Sequence, residues 1–233
     1  MTLTEAVSLP VLDEAACEDW VLAVLLQQAH WCRRHAHVPF FTLGLAAYLD
    51  AVGAIGGPDG RHAPYHQPAL RARSNALLTA HFGPLLRRTA EALQHWLGAP
   101  THFADTDAAL PGFHIYLPHP ALGERVASVH RDLQYRAAFG DTAPAAGDCF
   151  SFTLPLATPP GTGLAIWPDC SSTAATLAAD AQPPQFHPYQ PGQLMVHDGQ
   201  QLHQAVLCCT GDEPRITLQG HGLRQGQSFL LYW

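Results

Sequence analysis

The sequence contains no lysine, so all 12 of its Lys and Arg positions are arginine. A Schiff-base enzyme, a P-loop nucleotidase and a lysine-dependent protein kinase each need a lysine for their chemistry, and all three classes are excluded. The 19 acidic residues give a net charge of -7, whereas a protein that follows a nucleic-acid backbone needs a basic surface. We therefore expect no nucleic-acid partner.

Long apolar runs and paired cysteines are also missing. No apolar segment reaches membrane-spanning length, so we expect no membrane partner. The first ten residues lack the basic and apolar regions of a secretory signal. The 6 cysteines include no CxxC pair and are irregularly spaced, which argues against a zinc knuckle or a disulfide scaffold and indicates reduced thiols. These absences together predict a cytoplasmic protein.

The composition that remains is typical of a folded domain. Hydrophobic residues make up 47% and charged residues 13% of the 233 positions, which is enough to form a substantial core. We expect residues 1–233 to form a single domain. Residues 1–100 have a helical period and are predicted to form a mainly helical support layer. Its segments are a helix capped by Asp13, an apolar stretch at 41–52, and helices at 69–81 and 84–97.

The pattern changes after about residue 100, where short and often alternating segments are separated by glycine and proline. Eight strands are predicted, at 112–117, 127–135, 149–156, 163–167, 193–197, 203–207, 215–222 and 227–233. Short strands after a helical front end are typical of an antiparallel sandwich or barrel. Residues 101–233 are therefore predicted to form the β-sheet core of an α+β protein. The stretch at 171–184 is interpreted as an insertion that helps to close over a substrate.

Two of the 15 histidines stand out by their neighbours. Side chains at i and i+2 of a strand point to the same face, so His130 and Asp132 can share one interior while Arg131 points away. Two histidines and one carboxylate form the facial triad that binds Fe(II) in non-haem oxygenases. His203 is the predicted third ligand. His197 is the alternative candidate for this third ligand. If His197 does not bind the metal, its expected role is to contact the metal ligands from behind.

The residues after His203 suggest a site for a carboxylate. Residues 208–213 are typical of a turn, and a hairpin symmetric about Thr210 would place His203 opposite Thr217. Arg215 and Thr217 would then share one face with His203. An arginine beside a metal can grip a carboxylate with its bidentate fork, assisted by a hydroxyl. The arrangement suits an acid that chelates a metal and carries a second carboxylate at its far end.

The ordered set His130-x-Asp132, His203 and Arg215-x-Thr217 resembles the Fe(II)/2-oxoglutarate-dependent dioxygenases. The phrases GTGLAIWP at 161–168 and YQPGQLMVHDGQQLH at 189–203 are similar to the same family. The resemblance implies a double-stranded β-helix, a jelly-roll fold like that of the cupins. It also implies that His130, Asp132 and His203 bind Fe(II), and that Arg215, helped by Thr217, binds the distal carboxylate of 2-oxoglutarate.

The resemblance further implies an activity. Members of the family use Fe(II), 2-oxoglutarate and O2, form a ferryl intermediate, and release succinate and CO2. Members that halogenate lack the carboxylate that Asp132 supplies here, so the resemblance implies a hydroxylase with a small-molecule substrate. Desaturation and ring closure stay open as outcomes. Two alternatives remain: a cupin-like metalloenzyme that does not use 2-oxoglutarate, and a protein hydroxylase.

Overall fold

The computed structural model describes residues 5–51, 63–104, 106–123, 126–139, 148–167 and 183–233. These residues form four α-helices: α1 (Glu14–Leu26), α2 (Ala47–Asp50), α3 (Pro68–Leu97) and α4 (Tyr135–Phe139). They also form twelve strands: β1 (Val7–Pro10), β2 (Cys32–Arg33), β3 (Phe40–Leu43), β4 (Thr101–Phe103), β5 (Gly112–Tyr116), β6 (Cys149–Ala157), β7 (Gly163–Trp167), β8 (Gln185–Pro188), β9 (Gln193–His197), β10 (Leu202–Val206), β11 (Arg215–Gln225) and β12 (Ser228–Tyr232).

The strands are arranged in two sheets. The larger has nine strands in the order β1-β9-β6-β11-β5-β3-β2, with β12 beside β11 and β4 beside β12, and the smaller has the order β10-β7-β8. From β6 to β11 the chain repeatedly crosses between them, because β6, β9 and β11 lie in the larger sheet and β7, β8 and β10 in the smaller. This alternation is that of a jelly-roll fold, and the predicted double-stranded β-helix is confirmed.

The two long helices cover one face of the larger sheet. Val24 of α1 and Leu85 of α3 are buried in one core with Phe152 of β6 and with Ile216 and Leu218 of β11. Successive strand side chains point to opposite faces. The residues that alternate with this apolar set therefore point away from the helices, and on β11 those residues are polar.

The predicted helix boundaries agree with the structure in part. The Asp13 side chain accepts a hydrogen bond from the Ala16 N–H at 2.9 Å and caps α1 as expected. The two helices expected at 69–81 and 84–97 are one continuous helix with Pro84 inside it. An internal proline removes a helical hydrogen bond and crowds the preceding turn, and α3 is packed into the core on both sides of Pro84, where Phe82 and Leu85 are buried. Gly98, with φ +62°, ends the helix in the left-handed conformation.

Residues 1–100 also supply strands, which the helical period did not predict. The stretch at 41–52 is not one helix, because it begins in β3 and continues into the short α2. β3 pairs with β5, β2 pairs with β3, and β1 pairs with β9. These strands use the free backbone groups at the edges of the larger sheet, and a local sequence pattern does not reveal such distant partners.

Seven of the eight predicted strands are present, and the strand at 127–135 is wrong. In that segment only His130 forms a bridge, and the chain enters α4 at Tyr135. The insertion expected at 171–184 lies, apart from residues 183 and 184, outside the described residues. In the part of the chain that is described, no helix has both the length and the apolar character needed to cross a membrane.

Candidate metal centre

His130 and His203 are held side by side by their backbones. Each N–H donates to the carbonyl oxygen of the other at 3.0 Å, which fixes His130 at the edge of the smaller sheet beside β10. The centroids of the two imidazole rings are 4.5 Å apart. The Asp132 N–H donates to the Gly199 carbonyl at 2.6 Å. The loop that carries the HxD sequence is therefore attached to the turn that precedes β10.

The structure brings the three predicted metal ligands together. One ligand atom from each of His130, Asp132 and His203 lies within 4.8 Å of the other two. His130 Nε2 is 3.5 Å from Asp132 Oδ1, and His203 Nε2 is 3.3 Å from Asp132 Oδ2. Both imidazoles therefore direct the same ring nitrogen at the carboxylate.

Hydrogen bonds of the other ring nitrogen, Nδ1, explain this orientation. His130 Nδ1 is 2.9 Å from the Ser128 carbonyl oxygen, and His203 Nδ1 is 2.8 Å from the Gln201 carbonyl oxygen. A carbonyl can only accept, so each Nδ1 donates its proton, and in the neutral ring Nε2 keeps its lone pair. Histidines that bind metals are oriented in this way by a hydrogen bond from the other nitrogen.

Asp132 gives the cluster its negative charge. Burial raises the pKa of this carboxyl group, but the charges and hydrogen bonds of the His203 and His130 rings outweigh burial and hold the pKa well below its ordinary value. Burial lowers the pKa of His130, whereas the hydrogen bond and charge of Asp132 raise it above its ordinary value overall. The negative potential that attracts a proton to His130 Nε2 would attract a metal cation equally.

The donor set fits a divalent transition metal. Two imidazole nitrogens and one carboxylate oxygen are the facial set of non-haem iron sites. Among the described residues, no further His, Cys, Asp or Glu side chain joins the three in this cluster. A metal held by three protein ligands keeps positions open for other molecules.

His197 lies behind His203 rather than in the cluster. Its side chain is buried, and its ring packs edge-on against that of His203 with 4.6 Å between the centroids. Burial, together with the nearby His203, lowers the pKa of His197 to about 3. The geometry therefore favours His203 over His197 as the distal ligand and gives His197 a packing contact with it.

Arg215 is the second unusual feature of this region. The residue is 0% exposed, and its three guanidinium nitrogens make no hydrogen bond to any described residue. The guanidinium carbon lies 5.4 Å from the ring centroids of both Tyr116 and Tyr189. Burial raises the pKa of Tyr189, and the nearby Arg215 charge opposes that rise. A buried cation with aromatic neighbours and no hydrogen-bond acceptor is an environment that suits an anion.

Thr217 is fully buried on the same strand as Arg215, two residues further along. The symmetric hairpin about Thr210 is wrong, because β10 pairs with β7 in the smaller sheet and β11 belongs to the larger sheet. The chain between these strands is hydrogen-bonded to other loops instead, because Cys209 exchanges backbone hydrogen bonds with His119 and Leu122 at 2.8 and 2.9 Å. Arg215 and Thr217 thus belong to the sheet opposite the one that carries His203.

Three residues with no predicted role surround Asp132: Gln134, Ser151 and His221. Ser151 Oγ donates to Asp132 Oδ2 at 2.5 Å, and Gln134 Nε2 donates to Oδ1 at 3.0 Å. His221 Nδ1 is 3.8 Å from Oδ2. A sequence signal was available, because Ser151 and His221 are polar residues that alternate with buried apolar residues on β6 and β11.

No protein-family model and no curated protein sequence matches this chain. Solved structures do share its fold. An N-substituted L-amino acid dioxygenase from Burkholderia ambifaria AMMD, in complex with alpha-ketoglutarate, matches with a TM-score of 0.62 and 13% identity over 98% of this chain and 86% of that one.

Two further structures have the same architecture. The non-heme alpha-ketoglutarate-dependent epimerase SnoN from nogalamycin biosynthesis matches with a TM-score of 0.52 and 16% identity over 94% of this chain and 79% of that one. An oxidoreductase of the 2OG-Fe(II) oxygenase family from Burkholderia pseudomallei matches with a TM-score of 0.51 and 13% identity over 96% of this chain and 86% of that one. At these identities the likeness establishes the fold, which is the fold that the sequence resemblance implied.

Proposed function

We propose that this protein is a non-haem Fe(II)/2-oxoglutarate-dependent oxygenase that hydroxylates a small molecule. The observation that carries the proposal is the fully buried Arg215 guanidinium, which lacks a hydrogen-bond acceptor in the described structure. A His-Asp-His cluster alone would also suit a cupin-like metalloenzyme without 2-oxoglutarate. Arg215 lies on β11 of the larger sheet. An anion site there favours a cosubstrate that chelates the metal with one end and carries a carboxylate at the other end.

Each candidate residue has a defined task under this proposal. His130, Asp132 and His203 would hold Fe(II), and bound iron with 2-oxoglutarate supplies the activation of O2 for substrate oxidation. Arg215 would form the bidentate pair with the distal carboxylate of 2-oxoglutarate. The Thr217 hydroxyl would donate to the same carboxylate.

Hydroxylation of a small molecule is the finer part of the proposal. Asp132 provides the carboxylate that halogenating members of the family lack. The structure with the highest TM-score of the three described above is named as a dioxygenase of N-substituted amino acids, which supports a small substrate. The net charge of -7 disfavours a nucleic-acid substrate.

The proposal is tested by anaerobic titration of the Fe(II)-loaded protein with 2-oxoglutarate. We expect the weak visible charge-transfer band of the iron chelate to appear in the parent protein. His203→Ala should abolish the band because it removes a metal ligand. Arg215→Ala should weaken 2-oxoglutarate binding by about 30-fold or more, since truncating one partner of a buried charge pair costs about 2–5 kcal/mol.

Arg224→Ala is the matched control, because Arg224 lies on the same strand but pairs with Asp148 at 3.1 Å and is partly exposed. This variant should bind 2-oxoglutarate like the parent protein. Metal binding without a band would favour the cupin-like alternative. Absence of metal binding would reject an iron enzyme of either kind.

A further inference from the structure

The Asp132 carboxylate belongs to a closed ring of four hydrogen-bonded side chains: Asp132, Gln134, Ser151 and His221. Beyond the two contacts to Asp132 already given, His221 Nδ1 is 2.9 Å from Ser151 Oγ. His221 Nε2 is 2.8 Å from Gln134 Nε2 and closes the ring. The ring connects the loop after His130 to β6 and β11, on the larger sheet.

One arrangement of protons satisfies every contact in the ring. The carboxylate only accepts, so Ser151 donates its single proton to Asp132 and accepts one from His221 Nδ1. An amide nitrogen only donates, so Gln134 Nε2 donates one hydrogen bond to Asp132 Oδ1 and a second to His221 Nε2. His221 is therefore the neutral tautomer with its proton on Nδ1.

The ring controls the rotation of the carboxylate. Oδ1 receives a hydrogen bond from Gln134 and Oδ2 receives one from Ser151, so turning the carboxylate about its Cβ–Cγ bond would break both. Each oxygen keeps lone pairs free on the side of the two imidazoles. Gly199 leaves the room that this packing needs, because a Cβ there would lie 2.4 Å from Ser151 Oγ.

We propose that Gln134, Ser151 and His221 are positioning residues that orient Asp132 for metal binding, an inference that rests on the proposed function. Asp132 itself lies in a loop and not in a strand. Its side-chain orientation is therefore set by the ring, which joins Gln134 of the same loop to Ser151 of β6 and His221 of β11.

The test is a titration with Co(II) alone, followed by its visible absorption, on Gln134→Leu, His221→Phe and the double variant. We expect each single variant to bind Co(II) about 10–100-fold more weakly than the parent protein, the usual effect of losing a partner of a metal ligand. The visible bands should also shift as the carboxylate changes its orientation. The double variant should lose little more affinity than either single variant, because one break already opens the ring.

Thr89→Val is the control for a general loss of stability. Thr89 is buried on α3, outside the ring, and its hydroxyl donates to the Leu85 carbonyl at 2.9 Å. This variant should unfold at lower urea concentration yet keep the Co(II) affinity and spectrum of the parent protein. Ser151→Ala removes one oxygen only and serves as the ring variant if a larger substitution prevents folding.

The outcomes separate this proposal from the proposed function. Folded ring variants with Co(II) affinity within about twofold of the parent would overturn the positioning role while leaving the metal centre intact. If the losses of Co(II)-binding free energy in the two single variants add up in the double variant, Gln134 and His221 act on Asp132 independently and not through one ring. Failure of the parent protein to bind Co(II) would reject the metal centre itself, and the positioning role with it.

Discussion

Burial of the Arg215 side chain, which is 0% exposed, is costly for the stability of the folded protein. A guanidinium removed from water needs partners, and the neighbours of Arg215 include the aromatic rings of Tyr116 and Tyr189. Cation–π contacts at such distances are worth about 0.5–2 kcal/mol, less than the several kcal/mol needed to bury an ion. Burial of Arg215 therefore costs stability, and under the proposed function the distal carboxylate of 2-oxoglutarate would offset part of this cost.

Replacing this cation by an apolar side chain of similar length should stabilise the ligand-free protein. We expect Arg215→Met to raise the free energy of unfolding by about 1–4 kcal/mol, on the scale seen when a buried ion pair is replaced by well-packed apolar residues. When 2-oxoglutarate is added to the Fe(II)-loaded proteins, the variant should gain less thermal stability than the parent protein, because ligand that binds the folded state stabilises it in proportion to its affinity. Differential scanning calorimetry with and without these ligands measures both effects.

Arg224→Met is the comparison for that experiment, because Arg224 is partly exposed and paired. It should change the stability little and keep the response to the ligands. A clear destabilisation by Arg215→Met would mean that Arg215 has a structural partner that outweighs the cost of its burial.

At the scale of the elements, a buried ion pair joins β3 and α2 to the chain that precedes them. Arg34 Nη1 and Nη2 donate to the two carboxylate oxygens of Asp50 at 2.6 Å each, and Arg34 Nε donates to Thr42 Oγ1 at 2.7 Å. Asp50 Oδ2 also accepts from the Ala46 N–H at 2.8 Å and so holds the start of α2. Side-chain exposures of 10% and 7% show that the pair is screened little by water.

Breaking this buried ion pair should lower the free energy of unfolding far more than breaking an exposed ion pair. Asp50→Ala leaves the Arg34 charge buried without its carboxylate, and we expect it to lower the free energy of unfolding by about 3–5 kcal/mol. Asp148→Ala breaks the Arg224–Asp148 pair, whose partners are about one-third exposed, and should cost less than about 1 kcal/mol. Urea denaturation of both variants gives the comparison, and equal losses would contradict the role given to burial.

The same scale shows what the sequence could and could not predict. Short apolar or alternating runs bounded by glycine and proline predict β5 to β12 closely, apart from β8, because strand periodicity and turn residues are local properties of the sequence. The pairing partner of a strand depends on distant parts of the chain. The prediction of a hairpin between β10 and β11 is therefore wrong, although both strands are predicted correctly. The i, i+2 argument for His130 and Asp132 assumes a strand. In the structure a single bridge to His203 holds His130, and a backbone hydrogen bond to Gly199 holds Asp132.

At the scale of the whole molecule, buried imidazoles link stability to pH. Burial lowers the pKa of His114 and His221, and of His197 to about 3. The pKa of His130 moves the other way, because Asp132 raises it. In the unfolded chain all four would titrate near their ordinary pKa of about 6.5.

The sign of the effect follows from proton counting on His114. This ring is buried on β5, where burial and then the charges of Arg215 and Arg34 hold its pKa well below the ordinary value. Below about pH 6.5 the unfolded chain binds a proton there that the folded chain does not, so stability falls as the pH drops. His130 contributes the opposite slope, since its raised pKa lets the folded state bind its proton first.

We therefore expect the free energy of unfolding of the metal-free protein to fall from pH 6 to pH 4.5. His114→Phe should reduce the slope of this free energy against pH by about 1 kcal/mol per pH unit, close to the 1.36 kcal/mol that one proton contributes. The Tyr48 hydroxyl, 2.5 Å from His114 Nε2, loses its partner in this variant, which lowers the stability at every pH without changing the slope. His95→Gln, on the exposed face of α3, should keep the parent slope. Urea denaturation across the pH series measures the slopes, and equal slopes for His114→Phe and the parent would mean that the ring is protonated in the folded protein as readily as in the unfolded chain.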